Sequence, residues 1–184
     1  GGHGLVVTGV GTGPAMPYGP SQRRLQPGDL LVLDVGATLA GYTADEARTY
    51  VVGAADARQH ALFAVARNTQ DAILERLRPG ASSVALCAAA RAVVDAGAPP
   101  HFPPGSLVMP AFIGHSIGLE IDEPPVLWER YETVVQAGMV LAIEIEVSAP
   151  QAGLGVKLED TFVVCESGWQ LLTGLPRELI ECGV

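Results

Sequence analysis

Lysine is almost missing from this chain. Lys157 is the only one among 184 residues, and the other ten basic residues are arginine. Eleven basic against twenty acidic residues leave a net charge of −9 and a pI near 4.8, which excludes the basic face that nucleic-acid binding requires. Cysteine is sparse too: Cys87, Cys165 and Cys182 form an odd set without C-x-x-C spacing. That excludes a disulfide framework and fits reduced residues of a cytoplasmic protein. No apolar run reaches a membrane span, since Leu30 to Leu33 and Val134 to Val147 are both broken early by charge, Gly or Gln. A disordered tail is excluded as well, because 48% of residues are hydrophobic and only 17% charged. What remains is one domain's worth of polypeptide, residues 1–184, with enough apolar residues for a single core. The first residue is Gly rather than Met, so we expect a chain lacking an upstream domain or helices on its N-terminal side.

Residues Gly1 to Pro20 carry seven Gly and three Pro around Leu5 to Val7, the pattern of a strand followed by a loop. The turn Gln26-Pro27-Gly28-Asp29 launches an aliphatic strand, Leu30 to Val35, interrupted only by Asp34. Tyr42 to Val52 follows as a second strand, and the pair reads as an antiparallel hairpin. From Ala57 to Arg78 apolar residues recur at three- and four-residue steps, with Asp56 placed to cap the helix and Pro79-Gly80 to stop it. A second helix runs from Ser82 or Ser83 to Asp95 and ends at Gly97. Ala98 to Ser106, with its four prolines, is irregular. Strand patterns return at Leu107–Ile113, Val140–Val147 and Val156–Cys165. Strands, two helices, then strands predict an α+β domain with helices packed on a mostly antiparallel sheet.

Within these strands several charged residues are out of place. Asp34 sits in Leu-Val-Leu-Asp-Val, Glu144 in Ile-Glu-Ile-Glu-Val, and Glu159 in Val-Lys-Leu-Glu-Asp. Asp45 lies eleven residues after Asp34, across the hairpin, where the two side chains can face one another. His115 stands between Gly114 and Gly118, which permit close backbone approach. Burying an uncompensated carboxylate is costly. Each residue singly has a plainer reading. Asp34 can accept turn N–H groups, Asp45 can pair with Arg48, and Glu159 with Lys157. His115 can be a structural histidine, and Glu144 or Glu146 can face solvent. Taken together, the five are better explained by a pair of divalent cations, whose +4 balances four carboxylates. An oxygen-rich set with one imidazole suits manganese first, with cobalt, iron or zinc as alternatives. Two such ions can share a hydroxide and polarise a carbonyl.

The same segments resemble a known family. Pro27 to Ala37, Gly41 to Asp45 with Arg48-Thr49, Gly114 to Leu119 with Glu123-Pro124-Pro125, Gly138 to Val140 with Ile143-Glu144, and Gly155 to Asp160 are similar in order and spacing to the Xaa-Pro peptidases. These are the prolidase and aminopeptidase P branch of the pita-bread metallopeptidases, a group that includes methionine aminopeptidase and creatinase. The resemblance runs from about Gly9 to Leu179. It implies a pseudo-twofold α+β pita-bread domain, the catalytic domain alone, with a curved sheet and helices on its outer face. It also implies two metal ions held by Asp34, Asp45, His115, Glu144 and Glu159, with Asp45 and Glu159 bridging. Further expectations are hydrolysis of an amide next to proline by a metal-bridging hydroxide, proton transfer by Glu144, and a cytoplasmic homodimer with a peptide or small-molecule substrate.

The chain departs from that pattern at four positions. Asp122 stands seven residues after His115, where the family usually has a second histidine, and Pro17 replaces a substrate-facing one. Ser116 replaces a glycine, and Lys157, expected beside the ligands, replaces an arginine without its bidentate geometry. Asp122 can act as an alternative base, hold a cationic substrate, or belong to a surface loop. Loss of both histidines leaves open a non-peptide substrate (a C–N hydrolase or lyase) and, further off, a non-catalytic binding module. His3, His60 and His101 show no ligand spacing.

Overall fold

The computed structural model describes residues 22–183. The order of elements is β1 (Leu30–Leu39), β2 (Tyr42–Val52), α1 (Ala57–Leu74), α2 (Ser83–Ala96), β3 (Phe112–Ser116), β4 (Glu123–Trp128), β5 (Val140–Ala149), β6 (Leu154–Val164), β7 (Trp169–Leu171) and β8 (Ile180–Cys182). One sheet contains every strand, in the order β1-β2-β6-β5-β3-β4, with β7 added to β6 and β8 to β2. All pairings are antiparallel except β2 with β8.

Helix α1 starts where the sequence places it. Asp56 accepts the backbone N–H groups of Arg58 and Gln59, and the Gln59 side chain returns a bond to the Asp56 N–H, closing a capping box. The helix ends at Leu74, four residues before the expected Arg78. There Arg76 and Leu77 donate to Ile73 and Leu74, tightening the chain into short turns. Leu77 remains buried, so its apolar signal belongs to the core although the helix has ended. Helix α2 runs close to its expected bounds and stops at Gly97, φ 67°. Both helices cover one face of the sheet. There Leu62, Ala66, Ile73, Leu86 and Ala90 pack with Leu141, Ile143, Ile145, Leu158 and Phe162 in one core.

Because side chains alternate along a strand, residues between these core positions point to the opposite face. On β5 these include Ala142 and Glu144, and on β6 Lys157 and Glu159. That uncovered face holds the site. Two strands differ from the sequence expectation. The run Leu107–Ile113 gives only a bridge from Val108 to Ser148 before β3 begins at Phe112, beyond Pro110. Strand β4 has no alternating pattern of its own and contains Pro124 and Pro125. It occupies the sheet edge, the one place where missing N–H donors are harmless. No helix among the described residues is long and apolar enough to cross a membrane. Cys87, Cys165 and Cys182 are all unpaired.

Candidate metal centre

Register brings the acids together. In the hairpin Asp34 pairs with Ala47 and Gly36 with Asp45, so Asp34 and Asp45 share a face as diagonal neighbours. Ala47 in turn pairs with Glu159 on β6, and Glu159 with Glu144 on β5. His115 pairs with Ala142 of β5, which places its ring beside Glu144. Gly114 makes that approach possible: its φ is 150°, and a Cβ there would collide with the Ala142 carbonyl oxygen.

The five side chains are not equally buried. Asp45, His115 and Glu159 are buried, while Asp34 and Glu144 retain partial access from the open face. One ligand atom each from Asp45, His115 and Glu159 lie within 4.8 Å of one another, the one such group of three among the described residues. His115 Nδ1 lies 3.0 Å from the Ser116 carbonyl oxygen. That oxygen can only accept, so Nδ1 carries a proton and Nε2 is the nitrogen turned into the site. Nε2 faces Glu144 Oε1 at 3.6 Å and Asp122 Oδ1 at 3.1 Å.

Lys157 connects the two groups. Its Nζ lies 2.5 Å from Asp34 Oδ2, 2.8 Å from Glu144 Oε2 and 3.1 Å from Glu159 Oε2. The sequence places it beside the ligands; the structure shows one ammonium touching three of the four carboxylates. Burial works to lower the Lys157 pKa, but the charges of Glu159 and Glu144 together with the hydrogen bonds to Asp34 and Glu144 outweigh it and the net shift is upward. Two of the carboxylates shift upward as well, toward their neutral forms. Burial, reinforced by Asp34, pushes the Asp45 carboxyl up to about 6 against the pull of Lys157 and His115. Burial pushes Glu159 up to about 8, with Lys157 opposing and Glu144, Asp45 and Asp34 adding.

Among the described residues three buried side-chain oxygens have no hydrogen-bond partner: Asp45 Oδ1 and Glu159 Oε2 in the site, and Asp160 Oδ2 on the other face, where Arg177 lies 3.6 Å away. The Lys157 contact to Glu159 Oε2 is an ion pair at 3.1 Å. Buried polar atoms are almost always satisfied. Two carboxylate oxygens in the site without hydrogen-bond partners, beside a histidine nitrogen, are the donor set that divalent cations complete, so the residues present fit such ions.

Several supporting residues escape sequence inspection. Thr161 Oγ1 donates to the Asp45 carbonyl, and the Asp45 N–H approaches the same hydroxyl at 3.3 Å. Thr49 Oγ1 and the Lys157 backbone bond each other in both directions. On the opposite face of β6, fully buried Asp160 accepts from Arg48 at 2.6 Å and from Thr173 at 2.8 Å. Arg48 also donates to the carbonyl oxygen of Glu159 at 2.6 Å. The only sequence signals for this network were an arginine and a second acid within otherwise apolar strands. His60 lies at the surface near Glu181, away from the centre. His3 and Pro17 lie outside the described residues.

Comparison with known proteins agrees with this geometry. The model of metallopeptidase family M24 matches residues 3–166. An Xaa-Pro dipeptidase of Pyrococcus furiosus is 35% identical over 95% of this chain and 49% of its own length. The dipeptidase PepE structure from Mycobacterium ulcerans superposes with a TM-score of 0.78 at 34% identity, covering 93% of this chain and 44% of that one. The Pyrococcus horikoshii prolidase structure gives 0.75 at 34% identity, covering 90% and 46%. The chain therefore spans about half the length of the curated relatives it matches.

Proposed function

The chain belongs to metallopeptidase family M24 and has its pita-bread fold, and we propose that it is a dimetal hydrolase that cleaves an amide next to proline. The observation that carries this reading is the convergence of Asp34, Asp45, His115, Glu144 and Glu159 on one open sheet face, with two buried carboxylate oxygens left without hydrogen-bond partners. Asp45 and Glu159, deepest in the site, would bridge the two ions. Asp34 would complete one set, and His115 with Glu144 the other. When bound, such ions polarise a scissile carbonyl and lower the pKa of water. Manganese is our first choice of metal.

The chain's own residues do the rest. Glu144 has access to solvent and an oxygen on the His115 side, so its carboxylate is the group placed to take a proton from attacking water and return it to the leaving amine. Lys157 holds Asp34, Glu144 and Glu159 in mutual register and offsets part of their repulsion. The dipeptidase names of the relatives support a peptide substrate for the whole protein. A homodimer in the cytoplasm completes the proposal.

Product analysis by mass spectrometry tests it. The manganese-loaded full-length protein is offered Xaa-Pro dipeptides and longer peptides with proline second, beside the Glu144→Gln variant. Release of the first residue by wild type, with at least about a hundred-fold loss in the variant, is the expected result. No release from folded, metal-loaded protein would favour a second reading, a small non-peptide substrate cleaved at a C–N bond. The observation behind that reading is Asp122, a carboxylate at the mouth of the site beside His115.

A further inference from the structure

Asp122 is three-quarters exposed, yet its Oδ1 lies 3.1 Å from His115 Nε2. The segment that carries it is fastened on both sides. The Thr43 N–H donates to the Gly118 carbonyl at 2.7 Å and the Glu120 N–H to Glu123 Oε1 at 2.8 Å. Ile121 packs on Gly36, leaving so little room that a Cβ on Gly36 would lie 2.5 Å from Ile121 Cδ1. Gly36 is the register partner of Asp45 and lies two residues beyond Asp34. The segment is therefore pressed onto the strand that carries one metal-ligand candidate, and its next residue, Asp122, reaches another.

The contact joins two metal-ligating groups. With Nδ1 turned to the Ser116 carbonyl, Nε2 is the ring nitrogen left for an ion, and Asp122 Oδ1 is a hard oxygen beside it. Metal–ligand bonds of about 2.0–2.2 Å put two donors at right angles on one octahedral ion about 2.8–3.1 Å apart. The observed separation falls at the upper end of that range. Glu144 Oε1, 3.6 Å from the same nitrogen, suits a wider angle on the same ion.

We propose that Asp122 is a sixth protein ligand, binding the ion that His115 and Glu144 hold. The proposal rests on the dimetal reading above and extends it. The two ions would then differ, because Asp122 adds a hard oxygen donor and a negative charge to one of them only. An added carboxylate favours oxygen-preferring ions such as manganese at that position and takes up a place that would otherwise be open to water or substrate.

Isothermal titration of the metal-free full-length protein with manganese, and visible absorption of the cobalt-loaded form, test this on wild type, Asp122→Asn and Asp122→Ala. The exposed side chain makes both variants compatible with folding, which circular dichroism checks. We expect two binding events in wild type. In both variants one event weakens at least tenfold and the other is retained, and in Asp122→Ala, which removes the oxygen donor, the cobalt bands intensify. Unchanged affinities would overturn the proposal while leaving the dimetal reading intact. So would an equal weakening of both events with an unchanged cobalt spectrum, since that marks only a nearby charge. Failure of wild type to take up any metal would overturn both.

Discussion

Glu144 and Glu159 face each other as a directly paired position of β5 and β6, two carboxylates on the same side of the sheet. Like charges placed this way oppose folding by about 0.2–1 kcal/mol, and only Lys157 stands between them. At pH 9, above the Glu159 value of about 8, Glu159→Gln in chelator should raise the melting temperature by about 1–4 °C. The same variant should lose most of the stabilisation that manganese confers on wild type. Melting curves with and without metal check both signs, and a lower melting temperature in chelator would contradict the account.

The raised carboxyls set a pH dependence. Folded Asp45 and Glu159 titrate at about 6 and about 8, above their ordinary values of 3.8 and 4.5. Between those limits the folded state holds more protons than the unfolded one. Metal-free stability is therefore greatest below about pH 4 as far as these two groups are concerned, and they erode it as pH rises to about 8. Metal binding needs both groups ionised, so manganese affinity should climb over the same interval. Melts at pH 5, 7 and 9 should show a manganese-induced shift that widens with pH. A shift that narrows with pH would sink this assignment.

Arg48 is fully buried and donates to Pro176, Ala47, Glu159 and Leu175 carbonyls as well as to Glu46 and Asp160. Replacing it with Met strands Asp160 in the interior with Arg177 at 3.6 Å as its remaining ion-pair partner. The expected loss is about 3–5 kcal/mol, read from urea unfolding. Arg48→Met combined with Asp160→Asn should recover part of it, as coupled pairs do. Arg48→Lys should also destabilise, because an ammonium cannot reach the acceptors that the guanidinium fork spans.

Gly114→Ala should be far more damaging than Gly41→Ala. Both glycines have positive φ, but a Cβ at Gly41 meets nothing within 4 Å, whereas one at Gly114 meets the β5 backbone at Ala142. We expect Gly41→Ala to cost about 1 kcal/mol and leave metal uptake unchanged. Gly114→Ala should displace His115, abolish tight metal binding and lower the melting temperature sharply. Equal melting temperatures for the two variants would refute this.

Much of the site could be read along the chain. Alternation within a strand puts Asp34 with Gly36, Asp45 with Ala47, and Lys157 with Glu159 on common faces, whatever the rest of the molecule does. The Asp56 cap, the Gly97 stop and the hairpin turn are equally local, because each depends on hydrogen bonds or backbone freedom within a few residues. A carboxylate in an aliphatic strand announces a compensating partner without naming it.

Naming the partner took the tertiary structure. That Ala47 lies opposite Glu159, and Glu159 opposite Glu144, is a matter of register between strands about a hundred and about fifteen residues apart. Hydrophobic period alone cannot set it, since many registers bury the same apolar face. Strand β4 was hidden because its two prolines are tolerable only at an edge, and edge position belongs to the whole sheet. Asp160, the neighbour of Glu159 in the chain, points to the other face, where Arg48 neutralises it. Asp122, an ordinary acid in a proline-flanked loop, meets His115 only because Ile121 finds room against Gly36. Local periodicity decided which residues share a strand face; long-range packing decided which of those faces meet.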